Sequence, residues 1–543
     1  ASYLTFFAGL GRAAISDSDE GFYAEAAREM VESSDWLTPH FNYEERFEKP
    51  ILYYWLAAGA FSVVGPSEIG ARLPAATSGL LLVLVTWWCG RRWAGERVGF
   101  IAGVITATNF GYSVLGRLAL PDLPLALCMT CTTWMGLESA RLSDSTRPAV
   151  SARPWLLGAA AAAGLGFLMK GPVAVAIPGL TILMASRLGL VGRARWLPCR
   201  LGDTLLAAAL FAAVAVPWFA AMSAEHGVAY LQRFFVAENV ERFATDRYNE
   251  PRSFFFYIPV LLGGLVPWTP LLALWMRRSV AAPTLLEKVP PRLLVIWAAV
   301  PFVFYSLSIG KQPRYILPVL PPLALLLARS LAASVPIDPR ERSTWLAWTG
   351  TACGGLLMVI GVLLLRVTPL LIGAQAEALW ATAGAIVASG ALVVATAWWR
   401  PRRLIEVLAT ASVVALVGVQ YSIYSSRGSD PVEQMAAAYA REHIGGETTG
   451  TYRVFVRNLV FYTRTAQRDL PNFEDLVAFL QRDDRVLCVL RQRDLDRIRA
   501  ETALTPRVLQ ALPYFNPAGL RVDALLWPNP TRDLDTVYLI SNR

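Results

Sequence analysis

Five carboxylates, Asp17, Asp19, Glu20, Glu25 and Glu29, crowd the stretch SDSDEGFYAEAAREM (16–30) of a chain that is otherwise apolar. A carboxylate beside an apolar run costs free energy unless it caps a helix, meets a cation or does chemistry. SDSDE also looks like a helix start, and Asp17 suits the cap better than Asp19. RFEKP (46–50) sets Arg46, Glu48 and Lys49 just before the apolar run ILYYW. Snorkelling of Lys49, with Glu48 as its solvated partner, competes there with a binding role. Asp122 in LALPDLPLAL is a lone carboxylate among prolines and leucines, either a helix cap or a working group. MKGP (169–172) reads as a turn anchored by Lys170. Lys311 and Arg314 in SIGKQPRYILP stand where positive charge runs against the inside rule, which calls for an anion, most economically a phosphate.

These groups must be positioned by membrane helices. Of 543 residues, 55% are hydrophobic and 17% charged, with a mean hydropathy of +0.42. Runs such as LLAAALFAAVAVPWFAA and TGTACGGLLMVIGVLLL approach the ~20 apolar residues that cross a bilayer. The net charge of +9 reflects arginines in short loops rather than a nucleic-acid surface, so nucleic acid is excluded as a partner. Those loops hold Arg91/Arg92/Arg97, Arg141/Arg147/Arg153, Arg187/Arg193/Arg195/Arg200, Arg277/Arg278/Lys288/Arg292, Arg340/Arg342 and Arg400/Arg402/Arg403, and they mark the cytoplasmic side. About thirteen spans fit between them: 1–15, 72–90, 98–116, 122–139, 155–169, 171–187, 203–222, 254–276, 292–309, 313–331, 344–366, 376–398 and 404–424. The first run, YLTFFAGLGRAAI, starts abruptly and is expected to be the end of a longer span.

Residues 51–64 are expected to lie along the interface, because counting them as a span would reverse every later loop. The long outer loops are then 16–71 and 223–253, and 20–33 forms an amphipathic surface helix with Phe22, Ala26 and Met30 opposite Glu25 and Glu29. The expected fold is therefore mainly α and polytopic over 1–424, with a small soluble α/β domain over 425–543 on the outer side. In that domain RGSDPVEQMAAAYA, EDLVAFLQRDD and RDLDRIRAET read as helices, and TYRVFVR, RVLCVLR and TVYLISN as strands.

Of the six cysteines only Cys488 lies in the polar tail, which excludes a bridge within it. His40, His226 and His443 lack metal-ligand spacing. Neither a Walker motif nor a GxGxxG before a helix is present. Group transfer on the outer side would then need a membrane-borne donor.

The order DEGFYAEAAREM, DWLTPHFNYEERFEKPILYYW and a lone Asp122 in the next outer loop resembles the GT-C glycosyltransferases of the protein-mannosyltransferase superfamily, and more narrowly the lipid A aminoarabinose transferases. The resemblance covers the membrane part and fades in the C-terminal domain. It implies inverting transfer of 4-amino-4-deoxy-L-arabinose from undecaprenyl phosphate to a lipid A phosphate on the periplasmic face of the bacterial inner membrane, giving resistance to polymyxin and cationic peptides. It further implies Asp19 and Asp122 as catalytic residues, orienting the acceptor, gripping the sugar amine or steadying oxocarbenium charge, with a base role as the alternative. Lys49, Lys311 and Arg314 would hold the leaving phosphate, with Tyr23 and Tyr315 as hydrogen-bond donors and Glu20 beside them at the substrate. Glu48 would pair with cations, hold the amine or ligate a divalent cation; no cofactor is obligatory. Family members often carry a histidine before the proline of the second long loop, where this chain has Asn249-Glu250-Pro251, which argues against a histidine metal site. The alternatives are a protein mannosyltransferase of the same fold and a flippase for lipid-linked sugars.

Overall fold

Apolar backbone in a bilayer has to satisfy its own hydrogen bonds, and helices do so within one segment. The computed structural model describes residues 1–143, 152–191, 201–245, 251–278, 289–335, 343–370, 376–425, 430–515 and 526–543. Among these, six helices are long and apolar enough to cross a membrane: Glu68–Ala94, Leu201–His226, Pro313–Ser334, Thr344–Leu370, Glu377–Trp399 and Pro401–Tyr421. A pair bent by 112°, Phe254–Gly264 with Thr269–Arg277, makes a seventh if taken as one span. The chain is a multi-pass, mainly helical membrane protein.

Nine helices of the first half frame the site: α1 (Asp19–Ser33), α2 (Leu52–Val64), α3 (Glu68–Ala94), α4 (Glu96–Thr108), α5 (Phe110–Leu115), α6 (Asp122–Ser143), α7 (Arg153–Lys170), α8 (Val173–Arg187) and α9 (Leu201–His226). The expected span 98–116 is broken, because Asn109 turns its side chain to the Ile105 and Thr106 carbonyls while accepting from the Tyr112 N–H, ending α4 and starting α5. Residues 1–15 do not form the expected helix. After one turn, Tyr3–Phe7, the backbone is irregular because the carbonyls of Leu10, Ala13 and Ala14 accept from the Arg72 guanidinium on α3. Arg147, Arg193, Arg195, Arg200, Lys288, Arg340, Arg342 and Cys199 lie outside the described residues.

α1 is capped by Ser18, whose hydroxyl accepts from the Glu20 N–H at 3.2 Å; Asp17 is used elsewhere. It is not a surface helix. Glu25, Arg28 and Glu29 are buried with Ala26, Ala27 and Met30, because Arg28 forks onto Glu25 at 2.7 and 2.8 Å and bonds Tyr43 at 3.1 Å. Burial and the neighbouring Glu25 push the Glu29 carboxyl up to about 8. Tyr43 belongs to the turn of a short hairpin, β1 (His40–Phe41) with β2 (Glu44–Glu45). α2 packs on α1 and α3, and the Tyr53 hydroxyl donates to the Ala71 carbonyl at 3.1 Å.

Residues 431–541 carry a sheet in the order β4-β3-β5-β7-β6, with β3 (Thr448–Thr451) parallel to β4 (Gln467–Asp469) and β5 (Val486–Arg491). β7 (Asp535–Ser541) runs antiparallel to β5 and to β6 (Arg507–Tyr514). Helices Pro431–Glu442, Phe473–Leu480 and Gln492–Glu501 cover it, in the three stretches read as helices. RVLCVLR and TVYLISN are strands, but TYRVFVR is not. The strand ends at Thr451, and positive φ at Arg453 (60°) and Phe455 (55°) turns the chain out of the sheet toward α1.

Candidate active site

Four elements bring their ends together. Asp19 opens α1, Asp122 opens α6, Lys170 closes α7, and Arg314 sits in the tight turn Pro313–Val319 that enters the helix Leu320–Ser334. Lys170 is placed by Gly171, whose φ of +78° ends α7 and where a Cβ would lie 2.9 Å from the Phe234 ring. The Lys170 ammonium donates to Asp122 Oδ1 at 2.5 Å and lies 4.3 Å from the Tyr315 ring centre. Arg314 places its Nε 3.2 Å from Asp122 Oδ2 and bonds Asp19 Oδ2 through its terminal nitrogen. One guanidinium thus bridges both carboxylates, and Asp122 is held by two cations. Asp122 is 4% exposed while Asp19 is 34% exposed, so the cluster is buried at one end and open at the other.

Burial would raise the Asp19 carboxyl, but Arg314 and Arg457 outweigh it and hold it below the ordinary aspartate value. Arg457 comes from the C-terminal unit, with a terminal nitrogen 3.3 Å from Asp19 Oδ1. Lys49 faces the same carboxylate and is itself paired with Glu238 at 3.1 Å, a residue of the long loop after α9. Arg46 pairs with Glu48 and lies 3.8 Å over the Phe22 ring. Arg46 pairs with the Glu48 carboxylate, and the described residues hold no group of three His, Cys, Asp or Glu. Asn249 and Glu250 lie outside the described residues.

Other residues singled out by the sequence are placed nearby with different duties. Glu20 is fully buried and spent on Arg72, at 2.8 and 3.3 Å, and on the Ser16 and Ala119 backbone N–H groups, both at 2.9 Å. It ties α1, α3 and the turn before α6 together. Tyr23 is buried with Tyr53 and Tyr54 against it at 5.2 and 5.4 Å, and its hydroxyl feels both Asp19 and Asp122. Lys311 stands apart from the carboxylates, donating to the carbonyls of Ser308 and Arg252, and burial pushes its ammonium down. Tyr315 stays in the cluster beneath Lys170. Sequence reasoning missed Lys170 as a site group, and Arg457 and Glu238 altogether.

A carboxylate pair bridged by one arginine and backed by a lysine can fix a nucleophile or a developing cation at its open end, while the surplus of cations suits an anionic leaving group. Residues 16–226 match the family model described as dolichyl-phosphate-mannose-protein mannosyltransferase. The undecaprenyl phosphate-alpha-4-amino-4-deoxy-L-arabinose arabinosyl transferase of Aeromonas salmonicida is 32% identical over 383 residues, 69% of this chain and 67% of that protein. The chain belongs to that arabinosyl transferase family. The equally named protein of Edwardsiella ictaluri is 34% identical over 57% of the chain, which spans about half of that relative's length, 54%. Among solved structures, ArnT from Cupriavidus metallidurans bound to undecaprenyl phosphate superposes with a TM-score of 0.74 at 23% identity, over 100% of this chain and 96% of that one. The arabinosyl transferase fold therefore extends through the C-terminal unit, where the motifs of the sequence fade.

Proposed function

We propose that the chain transfers 4-amino-4-deoxy-L-arabinose from undecaprenyl phosphate to a phosphate of lipid A. The observation that carries this reading is the convergence of Asp19, Asp122, Lys170 and Arg314 from four elements in a member of the arabinosyl transferase family. An oxygen of the acceptor phosphate attacks the anomeric carbon as the bond to undecaprenyl phosphate breaks, and the bonding pair leaves with the lipid phosphate. The acceptor is already an anion, so no strong base is needed. Asp19 and Asp122 orient the acceptor and steady the oxocarbenium charge. Arg314 and Lys49 receive the leaving phosphate, Tyr23 and Tyr315 flank it, and Lys311 supports the turn that carries Arg314.

In this reading the site faces the periplasm across the bacterial inner membrane, with the membrane spans within 1–424 and residues 425–543 as a periplasmic domain. α2 then lies along the outer surface. An impermeant thiol reagent should label a cysteine placed at position 66 from outside, and one at position 95 only after the membrane is opened. Labelling of 95 from outside would reverse the topology.

The activity test uses the purified full chain, aminoarabinosyl and mannosyl undecaprenyl phosphates, and mass spectrometry of lipid A. Transfer from the first donor alone is expected, and Asp19→Ala or Asp122→Ala should slow it roughly 100- to 1000-fold. Use of the mannosyl donor alone would move the protein to the mannosyltransferases that its family-model match names.

A further inference from the structure

The acidic stretch that opens α1 is built around one residue of the C-terminal unit. Asp17 Oδ1 accepts the Arg457 N–H at 2.8 Å, and the Phe455 and Val456 N–H groups also point at this carboxylate. Asp19 takes the Arg457 guanidinium, and the Phe22 ring lies 4.9 Å beneath it. Gly21 has no side chain where one would collide, since a Cβ there would stand 2.4 Å from the Arg457 carbonyl oxygen. Next along, Asn458 donates to the Ile15 carbonyl at 2.8 Å, and the Tyr462 hydroxyl accepts from the Ile15 N–H at 2.7 Å while bonding Glu68 at 2.8 Å. Docking alone would be met by these backbone and neighbour contacts. It does not require the guanidinium to reach a site carboxylate.

We infer that Arg457 binds the acceptor's phosphate monoester and so determines acceptor specificity, with the C-terminal unit completing the site. The inference rests on the proposed transfer to a phosphate. Arg457 is the open cation of the cluster: its side chain is 42% exposed, against 16% for Arg314 and Lys170 and 14% for Lys49. It holds Asp19 by one contact, whereas Arg314 bridges two carboxylates. The Asp17 and Asp469 carboxylates also act on Arg457, but among the described residues its guanidinium makes its close ion pair with Asp19 alone. An arginine fork lying on an aromatic ring keeps its edge free to grip two phosphate oxygens. With the phosphate engaged, Asp19 is left to Arg314 at the point where the reacting oxygen must sit.

The test is equilibrium binding to the purified full chain in detergent, which needs no turnover. Bisphosphorylated lipid A, the same lipid stripped of phosphate, and undecaprenyl phosphate are each titrated against wild type, Arg457→Gln and Arg457→Lys. Expected is about tenfold weaker binding of the phosphorylated acceptor by Arg457→Gln, a smaller loss by Arg457→Lys, and unchanged binding of the other two lipids. Equal binding of the phosphorylated acceptor by all three proteins overturns the inference. A parallel loss for all three lipids also overturns it, by reducing Arg457 to a docking residue. If the wild type binds in the expected pattern yet transfers no aminoarabinose, the proposed function fails and the phosphate site stands.

Discussion

Replacing Lys170 by methionine removes a charge while keeping most of the aliphatic stem, and it leaves Asp122, 4% exposed, with Arg314 as its remaining cation. At an effective dielectric near 20, a contact of this length represents about 7 kcal/mol of gross Coulomb energy, most of it offset by desolvation of the two charges. Breaking a buried pair from one side costs about 3 to 5 kcal/mol, and Arg314 at 3.2 Å keeps the cost at the lower end, about 3 kcal/mol. That is more than a hundredfold in any equilibrium that depends on the pair. In a detergent-solubilised sample the melting temperature of Lys170→Met should fall clearly, together with the transfer rate. Adding Asp122→Asn to Lys170→Met removes the uncompensated carboxylate, so the double variant should recover most of the lost stability and none of the activity. Thermal melts and initial rates on the four proteins of the cycle give the answer. A double variant no more stable than Lys170→Met, or a single variant with wild-type rate and melting temperature, would refute the buried pair.

Arg72→Met should be among the most destabilising single changes, by about 3 to 5 kcal/mol, because it strands the fully buried Glu20 and frees three carbonyls at once; a thermal melt measures it. Glu29 titrates near 8 because burial and Glu25 raise it, so the native state holds a proton that the unfolded state releases near the ordinary value of 4.5. Its contribution is therefore complete below about pH 4.5 and is lost as pH climbs toward 8, by at most ~1.4 kcal/mol per unit, and Glu29→Gln should flatten the fall in melting temperature between pH 6 and 8. Asp19 has the opposite sign: its depressed value keeps the pair with Arg314 intact above the ordinary carboxylate range and loses it only as pH drops through the depressed value. A transfer rate that halves between pH 6 and 5 through titration of Asp19 would contradict a cation-held carboxylate.

Asp19, Asp122 and Arg314 were legible in the sequence because a charge set against leucine and proline is an anomaly that needs a partner, and the structure makes the three partners of one another. Lys170 carried the same signal but stood before Gly-Pro, and a turn accounted for it; nothing local reveals that Asp122, 48 residues earlier, is its counter-charge. Arg457 had no signal at all. It is one of 50 lysines and arginines, in a polar segment where a guanidinium costs nothing, and the strand expected over 451–457 hid the turn that delivers it. The missing half of the information lay at the other end of the chain. SDSDE looked like a helix start, and the cap proved to be Ser18, which left Asp17 and Asp19, like Gly21 and Phe22 after them, without a capping reason. Each finds its reason in Arg457: an acceptor for its N–H, an anion for its guanidinium, room for its carbonyl and a ring beneath its charge. The motif that marks the membrane domain is in this respect a description of the surface the C-terminal unit must meet. A change at Arg457 should therefore be felt at Asp19, more than 430 residues away in sequence and one contact away in space.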